Sequence, residues 1–155
     1  MKKHILLPLL AAGLLASCSK DKDDTDTTYP EIGLNIANAF PTQCGTVKRG
    51  EAFTFRALLT DNRELGSVSV DVHHNFDQHS HSTEVVNCEN DPKKAAVNPF
   101  VFINSYTIPA GLKEYQPEVS INVPADVDPG DYHFLVRVTD KAGWQTIRGI
   151  SIKII

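Results

Sequence analysis

Sulfur and indole are scarce in this sequence: 155 residues include one Met, one Trp and three Cys. Basic charge is scarce as well, with 15 Lys and Arg against 19 Asp and Glu and a net charge of -4. A chain that neutralises nucleic-acid phosphates needs a cationic excess, so nucleic acid is excluded as a partner class. Long apolar runs are missing. The block from Ile5 to Leu15 is far short of the roughly 20 residues that cross a bilayer. No ten-residue stretch carries the apolar period of an amphipathic helix. Also missing are His-Glu-x-x-His, Gly-x-Ser-x-Gly and a Gly-rich phosphate loop. No standard hydrolytic or nucleotide site is therefore expected, and the chain reads as a non-enzyme with no catalytic residue.

What is present begins with an address. Lys2 and Lys3 precede the apolar block, which gives residues 1–17 the charged and hydrophobic regions of a secretory signal. Leu15-Ala16-Ser17-Cys18 resembles a bacterial lipobox, so Cys18 is expected to carry the lipid and to become the first mature residue. The alternative is a plain signal peptide with a chance cysteine. Removing Lys2 and Lys3 leaves 13 basic against 19 acidic side chains, a net charge of -6. Attachment to the membrane must then come from acyl chains rather than from a polybasic patch. The acidic run from Lys20 to Asp24 resembles the surface-export signal of Bacteroidota lipoproteins. The expected location is the outer membrane, lipid-anchored, on the cell surface.

Residues 18–30 read as the lipidated cysteine and a polar tether, because Asp21 to Thr28 has no apolar periodicity. Asp21, Asp23 and Asp26 do not form an EF-hand loop, since Asp26 and Ile32 stand where that loop needs Gly and Glu. The folded domain is expected over residues 31–155, one domain by length. With Cys18 assigned to lipid, Cys44 and Cys88 remain in an oxidising compartment and are expected to pair. Closing a loop of that size contributes about 4 kcal/mol on the chain-entropy view.

Beyond Tyr29, short blocks alternate apolar and polar residues between Gly, Pro, Asn and Asp. The inward sets are Ile32, Leu34 and Ile36; Phe53, Phe55, Ala57 and Leu59; Val68, Val70 and Val72; Val119, Ile121 and Val123. Tyr132, Phe134, Val136 and Val138 follow, and then Ile150, Ile152 and Ile154. With a less regular block from Phe100 to Ile108, about seven strands are expected, in an all-β, immunoglobulin-like antiparallel sandwich. Pro129-Gly130-Asp131-Tyr132 reads as the corner where the sixth of these strands begins, with Tyr132 as the corner tyrosine. Asp61 and Asp140 end two strands whose following loops share one end of such a sandwich. A calcium site is conceivable there, although aspartates at strand ends usually just make turns. Trp144 reads as a packing residue near the last turn.

Histidine is the residue that calls for an explanation. Of five that outlast the signal, His73, His74, His79 and His81 fall within nine residues, where chance would place about 0.3. His79-Ser80-His81 in extended backbone puts both rings on one side, and His73 follows Asp71 at the same spacing. Alternation leaves His73 and His133 facing outward on strands that neighbour each other in the sandwich, so His73 or His74 should meet His133. The expected metal ligands are His73, His74, His79, His81 and His133. With no soft sulfur to spare, the fitting ions are Zn(II) or Cu(II), with Ni(II) also compatible. The alternative is a solvated loop whose histidines only form hydrogen bonds.

The lipobox and acidic tether, Asp71-Val72-His73-His74-Asn75-Phe76-Asp77 with His79-Ser80-His81, and Gly130-Asp131-Tyr132-His133-Phe134 followed by Thr139-Asp140-Lys141-Ala142-Gly143 resemble one group of sequences. These are uncharacterised Bacteroidota lipoproteins grouped as a domain of unknown function. The resemblance covers most of the mature chain and implies a cell-envelope lipoprotein with an immunoglobulin-like sandwich. It implies no activity. The functional expectation is metal binding through the histidines; the competing one is an adhesion or assembly module that binds an envelope protein or glycan without metal.

Overall fold

A computed structural model describes residues 25–81, 83 and 88–155. The signal segment and Cys18 lie outside the described residues. Ten strands are found and no helix among the described residues: β1 (Glu31–Gly33), β2 (Gly45–Val47), β3 (Ala52–Phe55), β4 (Leu58–Thr60), β5 (Leu65–His74), β6 (Phe102–Thr107), β7 (Glu114–Tyr115), β8 (Val119–Asn122), β9 (Gly130–Asp140) and β10 (Gln145–Ile154). One layer has the order β2-β10-β9-β5-β6, and the other consists of β1-β4-β7 and its continuation β3-β8. All pairings are antiparallel except β2 with β10.

The alternating apolar residues become the space between the layers. Val68, Val70 and Val72 of β5, Tyr132, Phe134, Val136 and Val138 of β9, and Ile150, Ile152 and Ile154 of β10 are at most 2% exposed. They face Ile32, Phe55, Leu59 and Ile121 of the other layer, and the Phe55 and Phe134 rings meet at 5.4 Å. The fold is the all-β sandwich expected from the pattern.

Seven expected strands become ten for local reasons. The block from Phe53 to Leu59 changes partner along its length: β3 pairs with β8, Arg56 bridges to Phe40, and β4 pairs with β1. The first strand stops at Gly33, and Ile36 instead accepts the Ala39 N–H in a turn. β2 and β7, of three and two residues, are too short to show a period. Tyr132 makes the expected corner. Its hydroxyl donates to the Asp128 carbonyl at 2.7 Å and accepts the Phe100 N–H at 3.1 Å, and burial pushes the phenol above its usual pKa.

Residues 26–30, expected within the tether, lie against the sandwich. Asp26 is buried, its carbonyl accepts the Trp144 indole N–H at 2.8 Å, and Thr146 donates its hydroxyl to the Pro30 carbonyl. Trp144 also packs on Tyr29 at 4.7 Å.

Candidate metal centre

β5 and β9 run side by side, and their register sets His73 opposite His133 and His74 opposite Tyr132. Because side chains alternate along a strand, Asp71 and His73 stand on the outer face of the five-stranded layer while Val70 and Val72 are buried in the core. The chain leaves β5 at His74 and turns: the Asn75 N–H bonds the Asp131 carbonyl, and Gln78, at φ +58°, donates its N–H to the Asn75 carbonyl. That turn carries His79 and His81 back over the outer face. Further along, the Cys44–Cys88 disulfide is formed as expected and ties the chain after the histidines to the segment before β2.

Four imidazoles meet as a result. All six ring pairs among His73, His79, His81 and His133 have centroids 4.6 to 5.6 Å apart. One ring nitrogen each from His73, His79 and His81 lies within 4.8 Å of the others. The Nε2 atoms of His73 and His81 are 3.2 Å apart. Two nitrogens bound to a tetrahedral zinc at about 2.05 Å are separated by about 3.3 Å, so this pair already has the edge length of a coordination tetrahedron.

The second nitrogen of two rings is oriented by a carboxylate. His73 Nδ1 lies 2.7 Å from Asp71 Oδ1, and His79 Nδ1 lies 2.7 Å from Asp77 Oδ1. Placing the proton on Nδ1 in each case leaves the Nε2 lone pair for a metal, the usual outer-shell arrangement of a metal-binding imidazole. The His79 ring in turn holds the Asp77 carboxyl below the usual carboxylate range. Asp77 is not among the residues predicted from the sequence; Asp-x-His occurs three times, at Asp71, Asp77 and Asp131, and in the first two the carboxylate meets the ring.

The other two predicted residues take different places. His133 points away from the core as alternation requires, yet it is 0% exposed because the histidine loop covers it. Its Nε2 pairs with the His79 carbonyl at 3.2 Å, so it holds the loop in position and is not in the three-nitrogen group. His74 is not brought to the cluster: it takes the opposite face of β5, with its ring 4.8 Å from Phe76, as adjacent strand residues must. Beside the cluster, Asp71 and His81 also border a shallow depression lined by Ile103, Leu135, Arg137 and Ile147, so the site opens onto the outer sheet face.

Fold and site together define an all-β sandwich bearing an imidazole cluster on the outer face of one layer. Residues 16–155 match the family described as Domain of unknown function (DUF4625), and the chain belongs to it. Comparison with curated proteins finds no match.

Proposed function

We propose that this protein is a lipid-anchored, non-enzymatic envelope protein that binds a divalent transition metal, Zn(II) or Cu(II), through His73, His79 and His81. The observation that carries this reading is the 3.2 Å approach of two Nε2 atoms, from a strand and from a separate loop, beside two Asp-oriented rings. Three protein nitrogens leave a fourth coordination position for water or a small donor, which suits capture and release. Asp71 and Asp77 are engaged in orienting rings, so the arrangement supports holding an ion rather than turning over a substrate. Export through the signal and an acyl anchor on Cys18 would place the site at the outer membrane surface.

Calorimetric titration of the chelator-stripped protein tests the reading. Zn(II) or Cu(II) should bind at one equivalent, and His73→Ala or a His79→Ala, His81→Ala pair should each abolish binding. For the anchor, Cys18→Ala should leave the membrane fraction; retention of a signal-cleaved Cys18→Ala protein there would contradict the lipid assignment.

A second reading draws support from the same face. Ile103 is 71% and Ile147 37% exposed on the outer side of the sheet, an apolar surface suited to an envelope protein partner. If the parent binds no Zn(II), Cu(II) or Ni(II) at micromolar concentration, this adhesion or assembly reading takes first place.

A further inference from the structure

The end of the sandwich away from the histidines gathers three carboxylates that metal capture does not use. Asp61 follows β4, Asp140 closes β9, and Asp26 lies in the segment ahead of β1. One carboxylate oxygen of each lies within 4.8 Å of one from each of the other two. Asp26 and Asp140 are only 7% and 4% exposed. Holding three like charges this close in a poorly hydrated place is unfavourable without a counter-charge. Arg63, with Nε 4.0 Å from Asp26 Oδ2, is the cation in contact with them, and Lys113 borders the same depression as Asp26.

The hydrogen bonding of the cluster is complete on one side only. Asp140 Oδ1 accepts the Gly143 and Trp144 N–H groups at 2.6 and 2.7 Å, and Asp61 Oδ1 accepts those of Arg63 and Glu64 at 2.8 and 2.7 Å. Asp26 Oδ1 accepts from the Thr28 N–H at 3.0 Å and Asn62 Nδ2 at 3.1 Å. Those bonds explain the turns. They do not explain the other oxygens: Asp140 Oδ2 and Asp61 Oδ2 are buried and have no hydrogen-bond partner among the described residues. Buried polar atoms in folded proteins are nearly always satisfied, and on Asp140 the whole side chain is more than nine-tenths buried.

We propose that Asp26, Asp61 and Asp140 bind calcium, and that the ion clamps the segment ahead of β1 onto the sandwich. The donors are all oxygen, which selects a hard cation over the ions suited to imidazole. Two oxygens on one calcium, at about 2.4 Å each, lie up to about 4.8 Å apart, and each pair of these carboxylates falls within that bound. One guanidinium contact meets three carboxylates, and a divalent ion adds positive charge where they converge. Magnesium demands a tighter octahedron near 2.1 Å and gives up water reluctantly, so it is the weaker occupant.

Two of the ligands are built into the sandwich. A Cβ on Gly66 of β5 would stand 2.9 Å from the Thr139 and Asp140 carbonyls, so only glycine lets β5 pass this close to the end of β9. Asp26 is the ligand that arrives from outside, and its carbonyl already takes the Trp144 indole N–H. An ion joining Asp26 to Asp61 and Asp140 therefore fixes where the preceding chain departs. From His133 to Asp140 β9 runs about 24 Å, so this site stands or falls independently of the histidine reading.

Thermal melts and amide hydrogen exchange on the full chain, stripped with chelator and returned to 10 mM calcium chloride or magnesium chloride, test the proposal. Calcium should raise Tm by about 5 °C, with magnesium doing less, and should slow exchange at residues 26–33. Asp140→Asn, which keeps the Oδ1 acceptor, should lose the calcium shift and still bind zinc as the parent does. A parent whose Tm and exchange ignore 10 mM calcium overturns the proposal, as does an Asp140→Asn protein that responds like the parent. Should Asp140→Asn fail to fold, Asp26→Asn, outside every strand, carries the same test with the same two outcomes.

Discussion

His133, near the start of β9, lies under a loop of imidazoles, whereas Asp140, seven residues on, closes that strand beside two further carboxylates. The two ends place their polar side chains by different means. At the aspartate end, Asp61 and Asp140 sit at or next to strand ends, and each Oδ1 is held by N–H groups two to four residues away. At the histidine end, His79 and His81 arrive on a long connection between β5 and β6 that must be fastened from elsewhere. Its fastenings are the Cys44–Cys88 disulfide, the Asp91 N–H on Asp131 Oδ2 at 2.6 Å and the Lys94 ammonium on the Pro129 carbonyl, with the Gln78 amide on the Asp91 carbonyl at 2.9 Å tying the connection to itself. Local turns hold Asp61 and Asp140. The histidine end depends on contacts distant in sequence.

Removing the disulfide should separate the ends most sharply. A Cys44→Ser, Cys88→Ser protein should lose about 2–4 kcal/mol in urea unfolding. Its zinc affinity should fall more than tenfold because the loop loses its far attachment, while its calcium response stays at the parent's level. Unchanged zinc affinity would break the comparison by showing that the loop supports itself.

Asp71→Asn has a smaller expected effect. Losing the carboxylate behind His73 should weaken zinc binding about tenfold, the lower end of what outer-shell carboxylates contribute. Asp71 is partly exposed on the sheet face, so Tm should barely change. A calorimetric affinity equal to the parent's would remove Asp71 from the orienting role.

The smallest effect concerns acid. Asp128, just before β9, accepts the Val97 and Asn98 N–H groups at 2.7 and 2.8 Å, and these donors hold its carboxyl below the usual range. A lowered folded-state pKa contributes stability that is full above the unfolded value near 3.9 and is lost as pH falls through the lowered one. The contribution of Asp128 should therefore be constant between pH 7 and 5 and fade only below about pH 4. The Tm difference between the parent and Asp128→Asn should be the same at pH 7 and pH 5 and should shrink below pH 4. A difference that already shrinks between pH 7 and 5 would remove Asp128 from this role.

Much of this layout was legible in the sequence, and for one reason. Alternation assigns each strand residue to a face, and the sandwich makes β5 and β9 neighbours, so His73 and His133 were bound to meet. The same rule separates His74 from His73, and treating the two as interchangeable overlooked it. Asp26 was illegible because a polar segment without a period gives no sign that it docks; only the Trp144 indole and the carboxylates reveal its place. β2 escaped notice because its pairing is with β10, the last strand of the chain, and three residues cannot advertise a partner so remote. His133 was legible in position but not in role, since the strand pattern does not show that its Nε2 meets the His79 carbonyl.

Trp144 gives the molecule an optical property that follows from its position. It is the sole tryptophan, its ring packs at a tilt against Tyr29, and its indole N–H ends on the Asp26 carbonyl. Intrinsic emission excited at the red edge of the protein band thus originates entirely from the aspartate end. A change in its intensity or wavelength reads the docking of residues 26–30 directly, while an event confined to the imidazoles, a β-strand's length away, leaves the indole's surroundings unaltered. One native fluorophore distinguishes the two ends without any label.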